Sequence, residues 1–219
     1  MSGSFYASAL EIAVSVVLLA AMVTLWRRSV RAIVHSLALQ GVGLAAVAAV
    51  LAAHLRAPGL LLVAALVLGA KAIVIPLLLS RVVRADPGSR ETQPLVNVPA
   101  SLVAAGALTF LAFVAARSVT ALVPTVAGHL IPIGLASMLV GFFTLATRRK
   151  AVSQMVGLLL VDNGVALVAF LATSGVPLLV ELGSSLDILL AAVVLQALAF
   201  RLRSRLGSFD LDQLKELHD

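Results

Sequence analysis

The sequence predicts an all-α, polytopic membrane protein of about seven transmembrane helices, with its N-terminus outside and its C-terminus cytoplasmic. Three observations carry that expectation. The 219 residues are 61% hydrophobic and only 12% charged, well above the roughly 45–50% apolar content of a soluble domain, and the mean hydropathy is +1.12. The apolar residues are grouped into runs of about the twenty residues that a helix needs to cross a bilayer. The basic residues fall in short clusters between those runs, and the clusters alternate between rich and poor.

Taken in order, the runs place helices at 5–26, 32–53, 58–80, 99–116, 126–147, 151–173 and 177–200. The first is too long for the apolar region of a cleaved signal and is followed by further spans, so it is expected to remain as a span. It ends at Arg27, Arg28 and Arg31. The second runs to His54-Leu55-Arg56, and the third starts at Pro58, a residue suited to the first turn of a helix. The longest internal connection follows, RVVRADPGSRETQPLVNV from Arg81 to Val98. Its Pro87, Gly88 and Pro94 predict an irregular cytoplasmic loop suited to docking. Span four ends at Arg117, span five at Arg148-Arg149-Lys150, and spans six and seven are separated by Ser174-Gly175-Val176. The tail SFDLDQLKELHD places Leu211, Leu214 and Leu217 at helical spacing, with Ser208 or Asp210 as caps, and reads as a short amphipathic surface helix or a frayed terminus.

Lys and Arg number 13 on one set of alternating connections and 2 on the other, with Lys71 inside a span. The positive-inside rule then puts the rich side in the cytoplasm. The net charge of +6 is therefore a topology signal and not a nucleic-acid footprint. The chain has no cysteine, which excludes disulfides and cysteine-held iron–sulfur clusters. His35, His54, His129 and His218 lie in different segments without ligand spacing, so neither haem nor zinc is expected. No Ser-His-Asp set, phosphate loop or soluble substrate domain is visible, and no inverted repeat of the kind found in independent transporters. The chain is not expected to be an enzyme alone.

What remains is a set of ionisable residues deep in apolar spans. A charge near the bilayer centre costs at least ~2.5–3.5 kcal/mol on insertion scales, so such residues face a protein interior or wet cavity and mark ion or proton pathways. At about 1.5 Å per residue, Lys71 in span three, Asp162 in span six and Asp187 in span seven all fall ~15–20 Å from a membrane face, near the midplane. A lysine and two carboxylates at one depth could form a buried polar axis, and such groups can titrate as a coupled set, which is the chemistry of a proton relay in the membrane plane. The plainer reading is a static Lys71–Asp pair that pins helices together. Glu11 and Glu181 lie shallower, toward the outer face. His35 and Gln40 extend the axis toward the cytoplasm, although His35 near the interface also reads as a solvated histidine. Asn163 and Gly164 after Asp162, and Ser153 and Gln154 before it, give span six a polar stripe. Ser184 shares the face of Asp187. Pro76, five residues past Lys71, weakens the helix ladder beside it and predicts a bend.

The segments LVLGAKAIVIPLLL (66–79), ETQPLVNVPASL (91–102), RRKAVSQMVGLLLVDNGVAL (148–167) and PLLVELGSSLDILLAAVVL (177–195), ending in FRLRSRLGSFDLDQL, resemble the small E-type membrane subunit of hydrogenase-4-type formate hydrogenlyases. The resemblance covers nearly the whole chain. It implies a division into a four-helix N-terminal region (1–123), a three-helix region (124–205) similar to the K subunit of respiratory complex I and the C subunit of Mrp-type antiporters, and a cytoplasmic tail (206–219). The K-type subunit carries carboxylates in its second and third helices, which are the helices of Asp162 and Asp187 here. Aligned on Arg148-Arg149 and Gly157, however, the usual second-helix Glu falls at Leu159, and Asp162 lies one turn later with a shorter side chain, favouring transfer through water. The family implies a multi-pass protein of the inner (cytoplasmic) membrane without a redox centre of its own. Its partners would be antiporter-like subunits, a complex I subunit-1-like membrane subunit and a cytoplasmic hydrogenase-like arm with NiFe and iron–sulfur centres. Lys71, Asp162 and Asp187 would relay charge, with Glu11 and Glu181 as links toward the outer face or a neighbouring subunit. A cation/proton antiporter or transporter complex without a redox arm would use the same residues.

Overall fold

Six long apolar helices lie side by side in the computed structural model, which describes residues 3–27, 29–85, 95–149 and 151–173. Each is long and apolar enough to cross a bilayer. The protein is an all-α, multi-pass membrane protein, and the six spans follow the runs expected from 5–26 to 151–173. The seventh expected span (177–200), with Glu181, Ser184 and Asp187, and the tail lie outside the described residues.

The elements are α1 (Gly3–Trp26), α2 (Val30–Leu55), α3 (Pro58–Val67), a π-helical segment (Leu68–Val74), α4 (Ile75–Ala85), α5 (Val98–Ala115), α6 (Arg117–Leu122), α7 (Val126–His129), α8 (Ile131–Thr147) and α9 (Ala151–Thr173). Local chemistry explains their ends. Ser29 and Asn97 accept from the Ala32 and Ala100 N–H groups and so cap the starts of α2 and α5. Pro58 supplies the fixed φ of a first turn for α3. Arg56 closes α2 in the left-handed conformation at φ 54°, a cost normally avoided by glycine.

Two helices outrun their expected ends. The third span is expected to stop at residue 80, but α4 continues to Ala85. The connection expected from Arg117 to Thr125 instead starts as α6, because Ala116 stays right-handed and its N–H bonds to the Ala112 carbonyl. A charge ends the favourable membrane environment without breaking the backbone ladder.

Helices α1, α2, α9 and α8 form a closed ring, each packing on the next, and α1 completes it against α8. The continuous α3–π–α4 helix flanks the ring against α2, and α5 flanks it against α8 and α1. The described helices of the expected 1–123 and 124–205 regions thus share one bundle. The α8–α9 seam is built on glycines. Gly134 and Gly141 on α8, and Gly157 and Gly164 on α9, recur at the seven-residue spacing that keeps one face of a supercoiled pair in register. A Cβ on Gly164 would lie 2.5 Å from the Met138 backbone nitrogen, and one on Gly157 2.6 Å from that of Leu145. Backbone approach of this kind drives helix association where lipid removes the hydrophobic effect.

The apolar core is split in two. One cluster gathers Leu10, Val14, Leu44, Leu51, Leu167 and Leu171 toward the end of the bundle that holds His54. The other gathers Leu25, Ile33, Leu37, Leu79, Val156 and Leu160 toward the end that holds Arg148. Between them, on α2, the π segment, α8 and α9, lies a layer of polar side chains.

Candidate proton-handling layer

The layer comprises Gln40, Lys71, Ser137, Asp162 and Asn163. Each lies within three residues of the middle of its span. Lys71 Nζ meets Asp162 Oδ2 at 2.7 Å, with side-chain exposures of 6% and 15%. Gln40 donates from Nε2 to Ser137 Oγ at 3.0 Å and accepts from Asn163 Nδ2 on its Oε1 at 2.8 Å. Gln40 and Ser137 are fully buried, and Asn163 nearly so. Hydrogen bonds between side chains of three ring helices thus run beside an ion pair that reaches to the flanking helix.

Local backbone chemistry delivers Lys71. Pro76 has no N–H and its ring crowds the carbonyl of residue 72, so a regular α-helix cannot continue through it. The chain responds one turn earlier by widening into the π segment, in which the Ile75 N–H reaches back to Ala70. Such insertions occur often at functional sites. The expected weakening of the ladder is therefore found as a π segment centred on Lys71. Gly41 on α2 lets that segment sit close: a Cβ there would stand 2.8 Å from the Lys71 carbonyl carbon and 2.9 Å from the Ala72 nitrogen.

Asp162 and Asn163 are successive residues on α9, about 100° apart around the helix. They consequently serve different neighbours. Asp162 points to the flanking helix and Asn163 into the ring. Leu159, where the K-type pattern places its glutamate, sits 3% exposed in the apolar cluster near Arg148. The expected polar stripe divides: Ser153 is buried, whereas Gln154 is exposed and donates to the Arg148 carbonyl at 2.9 Å.

Not every expected pathway residue joins the layer. Glu11 is exposed on α1. His35 is exposed on α2, where its Nδ1 donates to the Arg31 carbonyl one turn back at 2.7 Å. Asp187 and Glu181 lie outside the described residues. Ser137 carries no signal in the sequence, because a lone serine in an apolar run looks like close packing. Nothing in its neighbours distinguishes it.

A second buried cation is equally silent in the sequence. Arg148 is 3% exposed and its Nη2 donates to the carbonyls of Thr24 (2.8 Å), Arg27 (3.3 Å) and Leu25 (3.4 Å). Thr24 and Leu25 lie in the last turn of α1 and Arg27 just past its end, where carbonyls lack intrahelical donors and carry the negative end of the helix dipole. Arg148 therefore ties α1 to the α8–α9 junction. Apart from Tyr6, which stacks on His54 with ring centroids 3.8 Å apart, every buried polar side chain among the described residues lies in the midplane layer or toward Arg148. Of these, Thr24, Ser36 and Thr144 each return their hydroxyl to the carbonyl four residues back in their own helix. Among the described residues no group of three His, Cys, Asp or Glu side chains could hold a metal ion.

Over its whole length and the whole length of the relative, the chain is 42% identical to the uncharacterized protein Rv0085 of Mycobacterium tuberculosis. No family model matches the chain, and no solved structure matches it.

Proposed function

The chain belongs to the family of that Mycobacterium tuberculosis protein, and within that family we propose that it is a proton-handling membrane-arm subunit of a group 4 [NiFe]-hydrogenase or complex-I-like assembly. The observation that supports the reading best is the 2.7 Å contact between Lys71 and Asp162 at mid-depth. The hydrogenase-4-like motifs supply the assembly in which such a pair would work. In this reading the redox centres belong to partner subunits, the N-terminus is outside, the membrane is the cytoplasmic one, and this chain passes charge without catalysing a reaction.

The chemistry follows from the geometry. A proton moving from Lys71 Nζ to Asp162 Oδ2 converts an ion pair to a neutral amine and a neutral acid with no heavy-atom displacement. Burial favours the neutral pair, because charges taken from water lose solvation. Their mutual attraction favours the charged pair, and in a dry setting the two effects are large and opposed. A charge arriving from a neighbouring subunit can therefore tip the balance. The apolar clusters on either side of the layer direct that exchange along the membrane plane.

The test is to purify the native complex through a tag on this chain and identify its subunits by mass spectrometry. Hydrogenase-like and antiporter-like partners are expected. Antiporter-like partners alone would move the reading to a transporter complex without a redox arm, and isolation as a lone stable homo-oligomer would overturn it. In the intact complex, Lys71→Met and Asp162→Asn should each abolish proton uptake coupled to partner turnover.

A further inference from the structure

We propose that Gln40 is the positioning residue of the Lys71–Asp162 pair, a role that rests on the proton-handling reading above. Two pairs of adjacent residues form its frame. Gln40 and Gly41 on α2, like Asp162 and Asn163 on α9, are separated by about 100° around their helices, so each pair has one member facing the ring and one facing the flanking helix. On the ring side, Gln40 holds Asn163 at 2.8 Å. On the flanking side, Gly41 receives the backbone of Lys71, and Lys71 closes on Asp162 at 2.7 Å. The contacts make a loop: Gln40 to Asn163, along α9 to Asp162, across to Lys71, onto Gly41 and back to Gln40.

A loop of this kind fixes one distance by means of the others. The amide of Gln40 sets the rotation of α9 that aims Asp162 outward, and Gly41 sets the depth at which the π segment presents Lys71. The side-chain hydrogen bonds of Gln40 go to Ser137 and Asn163, and it acts on the pair through these neighbours. Its second bond, to Ser137 at 3.0 Å, anchors α2 to α8 and lies outside the loop. Gln40 carries no net charge, and its influence on the pair is argued through the placement of α9.

The probe is an apolar carbodiimide, dicyclohexylcarbodiimide, applied to native membranes containing the full chain. It reacts with carboxyl groups within the bilayer and is opposed at Asp162 by the ammonium of Lys71. Labelling of the Asp162 peptide is read by mass spectrometry at a fixed pH, with Lys71→Met as the fast-labelling reference. Gln40→Met, which keeps side-chain length and removes both hydrogen bonds, should label severalfold faster than the unaltered protein. Gly41→Ala should do the same by displacing Lys71.

The decisive measurement is the double variant. Gln40→Met in the Lys71→Met background should label no faster than Lys71→Met alone, because Gln40 acts through the pair. A general loosening of the bundle would instead add to the Lys71→Met effect and overturn the proposal, as would an unaltered rate in Gln40→Met. If Gln40→Met does not accumulate in membranes, Asn163→Leu, which removes the same Gln40–Asn163 bond, alone and in the same double combination decides the matter by the same criteria. Labelling does not require transport. Labelling as expected with no proton movement in the unaltered complex would sink the proton-handling reading and leave the positioning geometry standing.

Discussion

Lys71 and Arg148 are both cations buried to about the same degree, 5% and 3% exposed, yet their surroundings differ in a way that separates machinery from architecture. Arg148 lies at one end of the bundle and donates to three backbone carbonyls. Those acceptors cannot take up a proton, and arginine does not release one under ordinary conditions. Lys71 lies at mid-depth, on a π segment, and faces a carboxylate, with which the proposed reading has it exchange a proton. Burial of charge is thus common to both sites, and the partner's chemistry decides which of them can do work.

The largest effect should come from breaking the Lys71 site one partner at a time. Lys71→Met leaves the part-buried Asp162 carboxylate without the ammonium it meets, and removal of one member of a buried pair costs at most about 3–5 kcal/mol. The unfolding midpoint of the purified protein should drop steeply. Lys71→Met/Asp162→Asn removes both charges and should recover most of that loss while proton uptake stays abolished. If transport returned with stability, Lys71 would be a clamp like Arg148 and the contrast between them would collapse.

Arg148 should behave in the opposite way. Arg148→Met deprives the end of α1 of its charged donor, and hydrogen bonds to charged groups are worth about 1.5–3 kcal/mol. Stability should fall, while proton uptake per folded complex stays unchanged. Arg148→Lys should restore only part of the loss, since a compact ammonium cannot reproduce the planar guanidinium fork.

The two sites also differ in how far the sequence discloses them. Lys71 and Asp162 are legible because a charge in the middle of an apolar run has no cheap explanation, and six spans are legible because length and composition nearly determine a transmembrane helix. Pro76 signals the distortion beside Lys71 without specifying a π segment, since proline states what the ladder cannot do and leaves the repair to packing. Gln40 and Asn163 are visible as polar residues, but that they bond to one another depends on the rotation of two helices. Arg148 is misleading for a definite reason. It stands in a basic cluster that topology already explains, so no pattern of residues announces that one member turns inward onto α1.

The α8–α9 glycines sharpen the comparison with variants of similar cost at two depths. Gly164→Ala and Gly157→Ala each put a Cβ within 2.6 Å of a facing backbone nitrogen, and overpacking of this kind costs about 1–3 kcal/mol. Gly164 is two residues from Asp162, whereas Gly157 lies nearer Arg148. Both should lower the unfolding midpoint, and only Gly164→Ala should also depress proton uptake. Equal transport losses would mean that the layer is sensitive to stability in general and not to the placement of Asp162.

The smallest effects are expected from Glu11 and His35, the two described pathway candidates that stand apart from the layer. Both are exposed, and His35 Nδ1 is engaged by the carbonyl of its own preceding turn, so neither is held by contacts that its removal would strand. Glu11→Gln and His35→Gln should leave both the unfolding midpoint and the rate of proton uptake unchanged, measured in the same complex as the Lys71 variants. A fall in uptake with Glu11→Gln would extend the pathway out of the midplane toward the His54 end, where the core of the described helices is apolar. A fall with His35→Gln would extend it toward the Arg148 end, past hydroxyls that now bond only within their own helices. Either result would transfer part of the work from the buried pair to an exposed group. The distinction between the two buried cations would then describe only the centre of the route.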